Sequence, residues 1–128
     1  MKKEKYVIEF EMGTVSPSVL WTYLSTSQGL ENWFADRVNN IGKKFTFEWN
    51  KSVQTAEQVG SRMGVFIKFR WTEEEDKKIF FEFKIIQVEL TGSTILEITD
   101  FAEPDEKEES IELWNLQIDD LRHKLGIA

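Results

Sequence analysis

The run TILEITDF, residues 94–101, carries the carboxylate best placed for chemistry. Asp100 follows Leu96 and Ile98 at period two, so a strand here turns all three side chains to one face. A carboxylate aimed into an apolar interior needs a partner or keeps its proton. Two outcomes are open: Arg62 or Arg70 reaches Asp100 as that partner, or the strand ends at Thr99 and leaves Asp100 in water. Turned inward, it is the chain's one candidate for an acid or base inside the fold. His123, the single histidine, stands between Arg122 and Lys124 at the end of a helical pattern, where positive charge suits the helix dipole. Capping or simple exposure is expected of it, not base catalysis. Asp36 and Arg37 read as a structural ion pair at a helix–strand corner.

Much other chemistry is excluded. The chain has no cysteine, hence no disulfide framework, thiolate metal site or thiol nucleophile. No Ser-His-Asp set, HExxH pair or glycine-rich phosphate loop is present, and no carboxylates group with histidine at metal-ligand spacing. No catalytic set, metal or cofactor is therefore expected. The acidic run EEED at 73–76 reads as a solvated hairpin. A formal net charge of −7 opposes binding to nucleic acid and to anionic lipid surfaces. The N-terminal MKKEKYVIEFEM lacks the continuous apolar stretch of a secretory signal, and no apolar run approaches the ~18 residues of a membrane-spanning helix. A cytoplasmic protein with no membrane span is expected.

Aromatic side chains are the second feature with chemical consequences. Ten Phe and five Trp in 128 residues imply an interior of large flat rings. Phe45, Phe47 and Trp49 alternate in KFTFEWN, Phe69 and Trp71 in GVFIKFRW, and Phe81 and Phe83 in IFFEFKIIQVEL, so these seven rings share the inner face of a sheet. That face is either solid core or the wall of a pocket with a few polar groups. In the second case Trp33, Ile98, Asp100, Trp114 and Ile118 join the seven as cavity-lining residues.

The elements that must position these groups follow from periodicity. Tyr6, Ile8, Phe10 and Met12 form the inner face of a first strand. Ser16 as N-cap and Pro17 at the first position open a helix with Leu20, Trp21 and Leu24 inward. LENWF, residues 30–34, reads as a second, very short helix, which cannot hold itself in water and so anchors Trp33 and Phe34 in something else. Strands follow: a weak one at DRVNN, then KFTFEWN, QTAEQVGS, GVFIKFRW, IFFEFKIIQVEL and TILEITDF. Within IFFEFKIIQVEL the apolar phase moves from Phe81, Phe83 and Ile85 to Ile86, Val88 and Leu90, the mark of a β-bulge. Acidic residues in EPDEKEE open a last helix with Ile111, Trp114, Ile118, Leu121 and Leu125 on one face and Gly126 as its stop. The result is one α+β domain over residues 1–128: an antiparallel sheet of about seven strands with a long C-terminal helix on its apolar face.

This order resembles the helix-grip fold of the START/Bet v 1-like (SRPBCC) superfamily, in which a curved sheet wraps a long C-terminal helix. A closer resemblance is to proteins similar to the C-terminal domain of the Hsp90 ATPase activator Aha1, through SPSVLWTYLSTSQGLENWFADRV, FTFEW, TAEQV, VFIKFRW and LTGSTILEITDFAE. The resemblance implies that the two small helices support one end of the long helix, with Trp33 and Phe34 closing that end of the interior. It implies a binding module for a small apolar or amphipathic molecule, lipid-like or polyketide-like, held between sheet and helix. Two alternatives come with it: a protein-interaction domain of the Hsp90-activator kind with a chaperone-like protein partner, and an enzyme of the cyclase or dehydratase kind using Asp100. A monomer is the simplest expected state.

Overall fold

The computed structural model describes residues 2–127. Ten elements follow one another: β1 (Glu4–Glu11), α1 (Pro17–Ser25), α2 (Ser27–Leu30), β2 (Arg37–Ile41), β3 (Lys44–Trp49), β4 (Ser52–Arg62), β5 (Phe66–Trp71), β6 (Phe81–Val88), β7 (Ser93–Ala102) and α3 (Lys107–Lys124). The seven strands form one antiparallel sheet in the order β1-β7-β6-β5-β4-β3-β2. Short turns join consecutive strands from β2 to β7 except for the nine-residue loop 72–80 between β5 and β6, while α1 and α2 carry the chain from the β1 edge to the β2 edge. This is the helix-grip arrangement of an open, curved sheet and a long terminal helix.

Local sequence explains the helix boundaries. The Ser16 hydroxyl accepts from the Val19 N–H, and Pro17, which has no N–H to leave unpaired, fills the first helical position. Thr26 closes α1 and also caps α2, its hydroxyl accepting from the Gly29 N–H at 2.9 Å. α3 has Glu108 and Glu109 in its first turn and Arg122, His123 and Lys124 in its last, each sign at the helix end that favours it. Its C-terminus finishes on Gly126 at φ 73, a left-handed position natural to glycine, and the Ile127 N–H returns to the Arg122 carbonyl at 2.8 Å.

One core fills the space between sheet and helices. Trp114, Ile118 and Leu121 of α3 meet Phe83, Leu96 and Ile98 of the sheet, and Leu20, Leu24 and Leu30 seal the side under α1 and α2. Ile111, Leu125 and Trp21 are half-buried at its margin.

Three expectations are corrected. First, α2 ends at Leu30, so Trp33 and Phe34 lie in the turn that follows it; the Phe34 N–H still bonds the Leu30 carbonyl at 2.8 Å. Second, β6 holds a single phase, Phe81, Phe83 and Ile85 inward, and its pairing with β7 runs unbroken from Glu82↔Thr99 to Val88↔Ser93. Ile86 and Val88 are simply apolar residues on the outer face, and Leu90 is 98% exposed in the turn beyond. The register shift falls in β4 instead, between Gln58 and Gly60. Third, Asp36 and Arg37 are both exposed, and neither takes part in an ion pair among the described residues.

Candidate functional site

A groove of about 750 Å³ opens at one end of the interior. Its walls are the turn at residues 31–36, the ends of β3 and β5, Ser52 and Gln54 of β4, Asp100 of β7 and the exposed side of α3. Four indoles meet there: Trp33, Trp49, Trp71 and Trp114. Three of them are fixed through their ring N–H. Trp33 donates to the Tyr23 carbonyl, Trp49 to the Phe34 carbonyl and Trp114 to Asp100 Oδ2, each at 2.9 Å. The Phe34 carbonyl also accepts from Gln117 Nε2 at 3.0 Å, which ties the turn to α3. The turn's position is thus set by hydrogen bonds from a strand and from a helix, and the short α2 need not be stable alone.

The Phe34 ring is the floor of the groove. Its centroid lies 5.1–5.9 Å from those of Trp33, Phe47, Trp49, Phe81, Phe83 and Trp114, in edge-to-face and stacked geometries. Trp33 and Trp114 are almost covered, whereas Trp49 and Trp71 are half-buried, with centroids 6.2 Å apart and planes inclined by 56°.

Asp100 does point inward, beside the groove, but neither arginine is its partner. Arg62 is exposed, and Arg70 Nη2 donates to the Glu74 carbonyl at 2.9 Å. Uncharged donors serve instead. Oδ2 accepts from Trp114 Nε1 at 2.9 Å and from the Tyr6 hydroxyl at 3.3 Å, and Oδ1 accepts from the Phe101 N–H at 2.8 Å. The Tyr6 hydroxyl also bonds Ser110 Oγ, and Tyr6 stands directly opposite Asp100 in the β1–β7 ladder. Burial raises the Asp100 pKa above the ordinary 3.8, against the lowering effect of the Phe101, Trp114 and Tyr6 hydrogen bonds and of the Lys3 charge. Burial likewise lifts Tyr6 to about 12, opposed by its bond to Ser110 and assisted by the Asp100 charge. A carboxyl so placed is a fixed acceptor for neutral donors, and it becomes easier to ionise when a cation approaches.

Of the twelve residues expected from sequence to line a cavity, five line the groove: Trp33, Trp49, Trp71, Asp100 and Trp114. Phe45, Phe47, Phe69, Phe81, Phe83, Ile98 and Ile118 lie beneath it, each at most 2% exposed, in mutual contact within the core. Sequence reasoning missed the α3 side. Leu113, Leu116, Gln117 and Asp120 face the groove at spacings of three, four and seven residues, a second stripe beside the core stripe. Leucines at two of those positions, 56% and 65% exposed, were the available signal. His123 is exposed. Away from the groove, Glu103, Asp105 and Glu106 bring carboxylate oxygens within 4.8 Å of one another before α3, an oxygen-only set of the type hard cations accept. Among the described residues no helix is long and apolar enough to cross a membrane.

Comparison with known proteins agrees with this architecture. The family model of the START-like superfamily domain matches residues 1–127. BfR322 from Bacteroides fragilis, solved by solution NMR, is 42% identical, with a TM-score of 0.71 over 100% of this chain and 95% of that one. The Aha1 dimer from Colwellia psychrerythraea is similar at 16% identity and a TM-score of 0.74, over 95% of this chain and 94% of that one. The protein MLL2253 from Mesorhizobium loti is similar at 16% identity and a TM-score of 0.75, over 96% and 97% of the two chains. At 16% identity these two likenesses speak to the fold alone. No curated protein matches the chain.

Proposed function

Because this chain belongs to the START-like superfamily, a family of ligand-binding modules, we propose that it binds a small hydrophobic or amphipathic molecule in the groove between α3, the turn at residues 31–36 and the ends of β3 and β5. One observation carries the reading. Trp49 and Trp71 stand half-buried at the mouth of a groove of about 750 Å³, within the roughly 300–1,000 Å³ typical of small-molecule sites. The ligand's apolar body lies against these two indoles and beneath Leu113 and Leu116, so that about as much apolar area leaves water on the protein as on the ligand. Gln117, Ser110 and Asp100 supply the polar contacts that orient it. Trp33, Phe34 and Trp114, packed into the core below, give the site a rigid floor that need not reorganise on binding.

Titration of isotope-labelled protein with 1-octanol, followed by NMR, tests the reading. Shifts concentrated at the Trp49 and Trp71 indoles and at Leu113 and Leu116 support it. Saturating octanol that moves none of these signals, or moves signals scattered over the whole surface, ends it.

A second reading, a protein-interaction domain of the Hsp90-activator kind, draws on the same mouth. Leu113 and Leu116 stand exposed on α3, and the Aha1 structure shares the fold. Replacing both leucines by Ser would then abolish capture of a stoichiometric protein partner, while octanol shifts at the Trp49 and Trp71 indoles would not occur in the parent protein.

A further inference from the structure

The groove carries charge of one sign. Glu31, Asp36, Asp100 and Asp120 line it, and no lysine, arginine or histidine does. These carboxylates come from the turn, from β7 and from α3, so they surround the mouth rather than occupying one side. Glu31, Asp36 and Asp120 are exposed, and none of the four forms an ion pair among the described residues, where the pairs are Lys3–Glu74 and Arg122–Asp119, although the Lys3 charge acts on Asp100. The same groove is lined by the half-buried rings of Trp49 and Trp71. An indole face attracts a cation and repels an anion, because its π cloud is negative. Two independent features therefore discriminate in the same direction. An anionic head group would meet like charge and the negative π clouds of the indoles, whereas a neutral one would gain from neither feature.

We propose that the groove takes an amphipathic organic cation, an apolar body bearing an amine or quaternary ammonium head, with the body on Trp49, Trp71 and the leucines and the head among the carboxylates. The inference rests on the small-molecule reading of the groove and adds the chemical class of the ligand. It also gives Glu31, Asp36 and Asp120 a use that apolar binding alone leaves without one.

The test uses the full chain and three probes with one tail: octyltrimethylammonium, 1-octanol and octanoate, each below its aggregation concentration. Binding is read by tryptophan fluorescence and by NMR shifts at the Trp49 and Trp71 indoles. The expected order is the cation about tenfold or more tighter than the alcohol, and octanoate weaker than the alcohol. Octanol binding in the groove with no advantage to the cation overturns the inference and leaves the small-molecule reading standing. Absence of binding by all three overturns both. A control separates local from overall charge, since the chain is acidic throughout. Asp120→Asn is expected to weaken the cation about two- to fivefold and leave octanol unchanged. Glu89→Gln, which removes a carboxylate at the opposite end of β6, is expected to change neither; equal losses from both variants would show that net charge alone selects the cation and would overturn the proposal.

Discussion

Replacing Gly29 by alanine separates two physical effects of opposite sign. Gly29 lies in α2 with no left-handed backbone angle, so alanine suits its conformation, and helix propensity alone favours the change by up to ~1 kcal/mol. Packing opposes it. A Cβ added there would sit 2.0 Å from the Thr22 carbonyl oxygen, 2.6 Å from Tyr23 Cα and 2.8 Å from the Thr22 carbonyl carbon, all backbone atoms of α1 that cannot rotate aside. Bringing the closest of these out to 3.0 Å requires α1 and α2 to part by about 1 Å. That movement strains the Thr26 hydroxyl bond to the Thr22 carbonyl, at 2.7 Å, and the Trp33 indole bond to the Tyr23 carbonyl, at 2.9 Å. Overpacking of this kind costs ~1–3 kcal/mol or more, and each weakened hydrogen bond adds ~0.5–1.5 kcal/mol. Packing outweighs propensity, and Gly29→Ala is expected to lose ~2–4 kcal/mol of stability. At ~3–5 °C per kcal/mol for a chain of this size, Tm falls by on the order of 10 °C. Urea denaturation followed by tryptophan fluorescence measures the loss, and the Trp33 indole N–H resonance should shift as its acceptor moves. Unchanged or increased stability would refute the close approach of α1 and α2 and leave propensity as the governing effect.

Phe34→Ala is expected to cost ~3–5 kcal/mol, because its nearly buried ring meets six others, while Phe34→Leu should recover about half by keeping volume without the ring; a loss below ~1 kcal/mol for alanine in urea melts would contradict the assigned floor. The raised pKa values of Asp100 and Tyr6 make the folded chain hold protons that the unfolded chain releases, so each lowers stability as pH rises: Asp100 just above pH 3.8, and Tyr6 between pH 10 and about 12. Tyr6→Phe should therefore abolish the alkaline decline attributable to this residue, up to ~2–3 kcal/mol at ~1.4 kcal/mol per pH unit, and should cost ~1–2 kcal/mol at neutral pH, where Asp100 and Ser110 lose a partner. Parallel urea melts of parent and variant from pH 7 to 11.5 give both numbers, and an unchanged alkaline slope in the variant would show that Tyr6 is not the group responsible.

The framework was legible because periodicity fixes which side chains go inside. Phe45, Phe47, Phe69, Phe81 and Phe83 are buried where alternation put them, and Trp114, Ile118 and Leu121 where the helical repeat put them. What periodicity could not supply was depth. Trp49 and Phe47 obey the same alternation, yet one is only half-buried beside the groove and the other is fully buried, because Trp49 stands at the end of β3, where the strand stops. The partners of Asp100 were missed for a related reason. Its side-chain donors, Tyr6 and Trp114, are 94 and 14 residues away; periodicity marks Tyr6 as an apolar strand position and Trp114 as helix core or cavity wall, although a Tyr or Trp at such a position brings a donor with it. The apparent bulge in β6 was a misreading of outer-face Ile86 and Val88, since exposed apolar residues near a turn imitate a change of phase.

Filling the interior with Phe rings has a consequence for where specificity can vary. The rings of Phe69, Phe81 and Phe83 and of Phe45 and Phe47 approach at centroid distances of 5.1–6.3 Å, which is direct contact, so no ligand atom fits between them. The binding proposed above is thereby confined to the mouth, and the residues there fall into two sets. Trp33, Phe34 and Trp114 are the floor of the groove and also part of the core, so changing them alters folding together with binding. Leu113 and Leu116, with the exposed carboxylates Glu31, Asp36 and Asp120, touch the groove from the surface, where substitution costs the fold far less, and Trp49 and Trp71 stand between the two sets, half-buried against the core. A chain built this way can change the ligand it accepts by altering its rim alone, while the Phe layer and the turn that Phe34 anchors remain as they are.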